Sequence, residues 1–140
     1  MSEKRSSSLF LYDIYQSVEK IEEFTRGISF DQLMADERTK DAILRNFQVI
    51  GEASKNIAES FIAEHPEVDW SGLAGLRDIG THRYFRVDWH LLWTSIHEEL
   101  PVLKKQIRNL MENEQEYSRI HDEIITPDPF FLETDQNCCF

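Results

Sequence analysis

Apolar positions return at helical spacing in three long stretches of the chain. In the first, Leu11, Ile14, Val18, Ile21 and Ile28 fall on one side, with Glu19, Lys20, Glu22 and Glu23 opposite. Ser6, Ser7 and Ser8 offer capping hydroxyls ahead of it and Gly27 a C-cap, so the spacing predicts a helix over about residues 7–26. Ser29 to Met34 reads as a short connecting helix. Asp36 then opens the longest pattern, about 37–64, in which Ile43, Phe47, Ile50, Ile57 and Phe61 mark one buried stripe. Gly51 and Ala53 leave part of that helix narrow, which usually means the close approach of another helix and only sometimes a ligand. Pro66 ends the run.

Asp69 caps a further turn at Trp70–Leu73, and Asp88 caps the third long pattern, marked by Trp89, Leu92, Ile96, Leu100, Leu103, Ile107 and Leu110. Pro101 lies inside that pattern and predicts a kink. Trp70, Trp89 and Trp93 read as core, whereas His65, His90, His97 and His121 lack a partner pattern and read as surface or helix-side residues. Beyond Glu116 the periodicity fades, and residues 126–132 read as extended, with Phe130, Phe131 and Leu132 able to dock on the body or on a partner. No strand-like alternation, glycine-rich phosphate loop or internal repeat appears. The pattern predicts an all-α, up-and-down bundle of three long helices joined by short ones.

Composition refines this picture. A chain of 140 residues with 41% hydrophobic positions and nine phenylalanines can bury a core as one domain. We place the helical domain at 1–112 and an acidic extension at 113–140. No apolar run approaches the roughly 18 residues that a membrane span requires, and Met1–Ser8 lacks the apolar stretch of a secretory signal, so a cytoplasmic location is expected. Cys138 and Cys139 are adjacent and have no second pair at ligand spacing, so no metal is expected.

A net charge of −11 argues at first against nucleic acid. Its distribution changes that reading. Residues 75–108 carry six basic against four acidic side chains, and residues 111–140 one against eight. The acidic remainder reads as solvated surface and tail, or as a face for a basic partner.

The basic island centres on Gly75–Phe85, which holds Arg77, Asp78, Thr81, His82, Arg83 and Tyr84. In a continuous helix Arg77, Thr81 and Tyr84 share a side, while His82 lies about 140° around the axis from Arg77. Gly80 would loosen the helix, letting both groups meet one phosphate. RNA is cut without a metal when a base takes the 2′-hydroxyl proton and a cation stabilises the charge building on the phosphoryl oxygens. Histidine suits the first task and arginine the second. Tyr84 can hydrogen-bond phosphate, stack on a base or be modified, and Asp78 can orient a histidine or tether Arg77. By residue type alone, such a set is also compatible with a structural role.

Arg77 to Tyr84 matches the Arg-x4-His-x-Tyr motif, and the segment resembles HEPN-domain toxins of the HepT type. Arg45–Lys55 resembles the family's helix before the motif, and His65–Leu76 its connector. Tyr84–Trp93, then Glu99, Leu100 and Pro101, resemble its last helix. The resemblance covers about residues 8–112. It implies a HEPN-like homodimer whose two motifs line one cleft, acting as a metal-independent endoribonuclease on transfer or messenger RNA. The toxin would belong to a type VII toxin–antitoxin pair, with no cofactor. Its antitoxin would be a minimal nucleotidyltransferase that attaches AMP to the motif tyrosine. Carried over, Arg77 and His82 are catalytic, Tyr84 is the AMP acceptor, and Asp78, Thr81 and Arg83 support them. Asp78 stands where the family commonly has asparagine. The alternative is a non-catalytic helical subunit that binds substrate or regulates a nucleotidyltransferase.

Overall fold

The computed structural model describes residues 6–79 and 87–125, with side chains as far as Asn113. Every regular element among them is helical: α1 Ser7–Thr25, α2 Phe30–Met34, α3 Glu37–Lys55, α4 Glu59–Glu64, α5 Trp70–Gly75, the 3-10 turn η1 Leu76–Asp78, α6 Trp89–Glu98 and α7 Leu100–Ile125. The bundle expected from periodicity is the fold, and α1, α3 and α7 are its long members.

Local chemistry sets the first corners. Gly27 adopts a left-handed φ of 77° just past α1, a conformation that costs glycine little. Ser29 and Gln32 then form a reciprocal capping box that starts α2. Asp36 starts α3: its carboxylate accepts the Thr39 N–H at 3.1 Å and the Thr39 hydroxyl at 2.6 Å. Those bonds, the hydroxyl's first, hold the Asp36 carboxyl below its usual range.

The core follows from the stripes. Leu11, Ile14, Val18 and Ile21 of α1 are fully buried, as are Ile43 and Ile50 of α3 and Ile107 of α7. Alpha-helix α1 packs most broadly on α3 and then on α7. Each such side chain contributes about 1.5–3 kcal/mol by leaving water. Polar ties add direction at the edge. Lys104 of α7 donates to Glu22 at 3.0 Å and lies 3.6 Å from Glu19, and Arg108 donates to the Tyr15 hydroxyl at 2.8 Å. The Glu22 hydrogen bond raises the Lys104 pKa, and the Tyr15 bond raises that of Arg108.

Three expectations need correction. The long helix expected over 37–64 is two helices. Asn56 ends α3, its side chain donating to the Glu52 carbonyl at 2.8 Å, and Ala58 is extended before α4. Asparagine competes for the backbone in this way, which is why it favours helix ends. The kink expected at Pro101 is a break. Alpha-helix α6 stops at Glu98 and α7 begins at Leu100, so the proline occupies the first turn of a new helix, where its missing N–H removes no helical bond. Of the three tryptophans, Trp70 is buried, while Trp89 and Trp93 are half-buried and pack on the core from outside. Alpha-helix α7 continues in backbone through residue 112 to Ile125. Residues 126–140, with the expected docking aromatics and both cysteines, lie outside the described residues.

Candidate functional site

The segment that carries Arg77 is anchored before it begins. Pro66 disfavours helix at His65, so α4 ends at Glu64. The chain then turns so that Trp70 is buried, with its indole N–H donating to the His65 carbonyl at 2.8 Å. Asp69 caps α5 by accepting the Gly72 N–H at 3.1 Å. Past Gly75 the helix tightens into η1, and Ile79 is already extended, with φ −65° and ψ 131°. The helical path therefore ends before Gly80. A continuous helix from Arg77 to Tyr84, with Arg77, Thr81 and Tyr84 on one side, is not formed.

Alpha-helix α3 holds this segment through three successive contacts. Gln48 donates its side-chain amide to the Ile79 carbonyl at 2.7 Å. One turn on, Gly51 meets the η1 backbone itself. A Cβ there would overlap the Arg77 nitrogen and lie 2.6 Å from the Arg77 Cα. Only a residue without a side chain allows η1 to lie this close, which accounts for the narrow strip read from Gly51. Glu52, beside it, places a carboxylate oxygen 3.6 Å from Arg77 Nε. That is an ion pair rather than a hydrogen bond. With side chains 41% and 61% exposed, it orients Arg77 more than it stabilises the fold.

An open groove of about 460 Å³ lies along these contacts. Phe10 and Asp13 of α1, Arg45, Gln48, Val49 and Glu52 of α3, and Arg77 and Asp78 of η1 line it. Of the residues expected in the site, the structure brings Arg77 and Asp78 to one groove. Thr81, His82, Arg83 and Tyr84, with Gly80, lie outside the described residues. Asp78 is exposed and forms no ion pair among the described residues, so Glu52, not Asp78, tethers Arg77.

Reading by hydrophobic period missed Gln48 and Glu52, because polar residues on a helix ordinarily face water. The available signal was Gly51 between them, a bare backbone flanked by hydrogen-bonding side chains. The basic island is also smaller in space than in sequence, since Lys104 and Arg108 are engaged with α1. Outside the groove, His65, His90 and His97 pack beside aromatic rings, and the side chain of His121 lies outside the described residues. His90 stacks on Phe30 at 4.3 Å, while His97 lies tilted against Trp93 at 4.3 Å and His65 against Phe61 at 4.5 Å. Among the described residues no three His, Cys, Asp or Glu side chains converge as metal ligands, and no helix is long and apolar enough to cross a membrane.

Comparison with known proteins matches residues 14–110 to the family model described as ribonuclease HepT-like. A protein of Thermococcus cleftensis named "Probable ribonuclease HepT" is 44% identical over 107 residues, covering 76% of this chain and 97% of that one. A provisionally named RNase of Methanocaldococcus jannaschii is 37% identical over 110 residues, covering 79% and 91%. Another, of Caldanaerobacter subterraneus, is 36% identical over 106 residues, covering 76% and 95%. No solved structure matches the chain. With the matched region spanning the bundle from within α1 to Leu110, and with η1 and its α3 contacts inside it, the chain belongs to the ribonuclease HepT-like family.

Proposed function

We propose that the protein is the toxin of a type VII toxin–antitoxin pair, a metal-independent endoribonuclease that cuts RNA with Arg77 and His82. The observation that carries this reading is the seating of Arg77. Its backbone lies against Gly51 and its guanidinium beside Glu52, at a groove open to a strand. A cation held this way is ready for charge developing on a phosphoryl oxygen and needs little rearrangement to meet it.

In the proposed reaction His82 takes the proton from a ribose 2′-hydroxyl. The freed oxygen attacks the adjacent phosphorus, and the bond from phosphorus to the 5′-oxygen breaks. Arg77 stabilises the phosphoryl charge, and the departing oxygen takes up a proton. The products are a 2′,3′-cyclic phosphate and a 5′-hydroxyl end. Loss of the histidine should cost about 10²–10⁴ in rate and loss of the arginine about 10²–10³. The protein acts as a cytoplasmic homodimer with two motifs facing one cleft. A minimal nucleotidyltransferase silences it by adding AMP to Tyr84, placing an anion where RNA phosphate must come. Thr81 and Arg83 support the motif.

The test is cleavage of transfer and messenger RNA by the purified protein in excess chelator, beside Arg77→Ala and His82→Ala. Cleavage by the wild type alone is expected; no cleavage, or equal cleavage by all three, refutes the assignment. Incubation with the nucleotidyltransferase and ATP should add one AMP by intact mass and none to Tyr84→Phe. Asp78 favours a second reading, because a carboxylate at the groove, with no ion pair among the described residues, repels phosphate. A non-catalytic partner subunit would bind the transferase normally yet leave RNA intact.

A further inference from the structure

Arg45, Gln48 and Glu52 stand at i, i+3 and i+7 on α3, and all three line the groove with Arg77. Two of them have tasks within the fold. Gln48 holds the Ile79 carbonyl, and Glu52 pairs with Arg77. Arg45 has neither kind of task. It is exposed, and among the described residues it forms no ion pair, not even with Asp41 one turn back.

We infer that Arg45 is a second phosphate-binding residue, which takes an RNA phosphate one or two nucleotides from the scissile one held by Arg77. Seven residues of helix separate Arg45 from Glu52, about 10 Å along α3. The strand would thus run lengthwise over this face. A guanidinium fork fits phosphate oxygens in a way that lysine's point charge does not. The groove's volume is in the range of small-ligand sites, and Phe10 and Val49 give it an apolar portion against which a base can rest.

Charge makes this arginine matter more. Among the described lining residues, Asp13, Glu52 and Asp78 stand with Arg45 and Arg77, three acidic against two basic side chains. Retention of a strand there depends on individual arginine contacts rather than on a basic field. Removing Arg45 leaves Arg77 as the one cation among the described lining residues.

The inference rests on the ribonuclease reading, and two substrates separate their failures. A dinucleotide has one phosphate and reaches only Arg77, whereas a single-stranded oligonucleotide spans both arginines. For the oligonucleotide, Arg45→Ala should raise KM about tenfold and leave kcat within about twofold. It should also flatten the dependence of log(kcat/KM) on log salt by about 0.7–1. Dinucleotide cleavage and thermal unfolding should match the wild type, and Arg45→Lys should keep the wild-type salt slope. An unchanged KM and slope on the oligonucleotide overturns the inference, as does an equal loss on the dinucleotide. If the wild type cuts neither substrate, the ribonuclease reading falls and takes this one with it.

Discussion

Alpha-helix α3 works with two faces that obey different rules. Toward the core it presents Ile43, Phe47 and Ile50, buried in one cluster with the apolar stripe of α1. Toward η1 it presents Gln48, Gly51 and Glu52: one hydrogen bond, one bare backbone and one exposed ion pair. The first face gains stability from many interchangeable dispersion contacts and the loss of water. The second contributes less to stability, yet it fixes where a single arginine stands. The first face thus carries more of the fold's stability, and the second makes the tighter geometric demand, at Gly51.

Substitutions on each face should separate these roles. The largest effect on stability belongs to Phe47→Ala, which opens a cavity at a residue only 2% exposed. It should cost about 3–5 kcal/mol by denaturant unfolding, while RNA cleavage per folded molecule stays near wild type. Gly51→Ala forces η1 away from α3 and should cost about 1–3 kcal/mol. Gln48→Leu leaves the half-buried Ile79 carbonyl without its donor and should cost about 1–2 kcal/mol. Glu52→Gln should change stability by less than about 1 kcal/mol because the pair is exposed. A loss of stability from Glu52→Gln as large as that from Phe47→Ala would erase the distinction between the two faces.

A final, small effect concerns the end of α3. The Asp36 carboxyl has a lowered pKa in the folded protein, so its cap is fully present above the unfolded carboxylate range. The cap is lost as pH falls through the lower folded value. Asp36→Asn keeps a capping oxygen that does not titrate, and should flatten the acid limb of the stability curve. An identical limb in both proteins would show that Asp36 is not what acid releases.

The difference between the faces also explains what could be read in the sequence. Alpha-helix α1, the short α2 and the α3 stripe were legible because burial leaves periodic marks along the chain. The breaks after Lys55 and Glu98 were not, because Ile57 and Phe61, then Leu100 and Leu103, continue the stripe in register across each gap. Periodicity reports which side of an axis a residue takes, not whether the axis is continuous. Asn56 and Pro101 held the missing information. Gly51 announced a close approach without naming its partner, and the partner proved to be the Arg77 backbone. Glu52 was hidden because a polar residue on a helix looks like solvated surface. Arg77 was singled out by its motif, and its role, like those of Thr81, His82, Arg83 and Tyr84, is part of the proposal.

The proposed role of Arg77 in RNA cleavage depends on its placement by α3, and Gly51→Ala tests that most directly. The measurement is the cleavage rate of this variant against wild type at a temperature where unfolding curves show both fully folded. A drop in kcat of at least about tenfold is expected, since a displacement of about 1 Å at a catalytic group can cost far more. An unchanged rate, with the variant folded and Arg77 still required, would contradict the account.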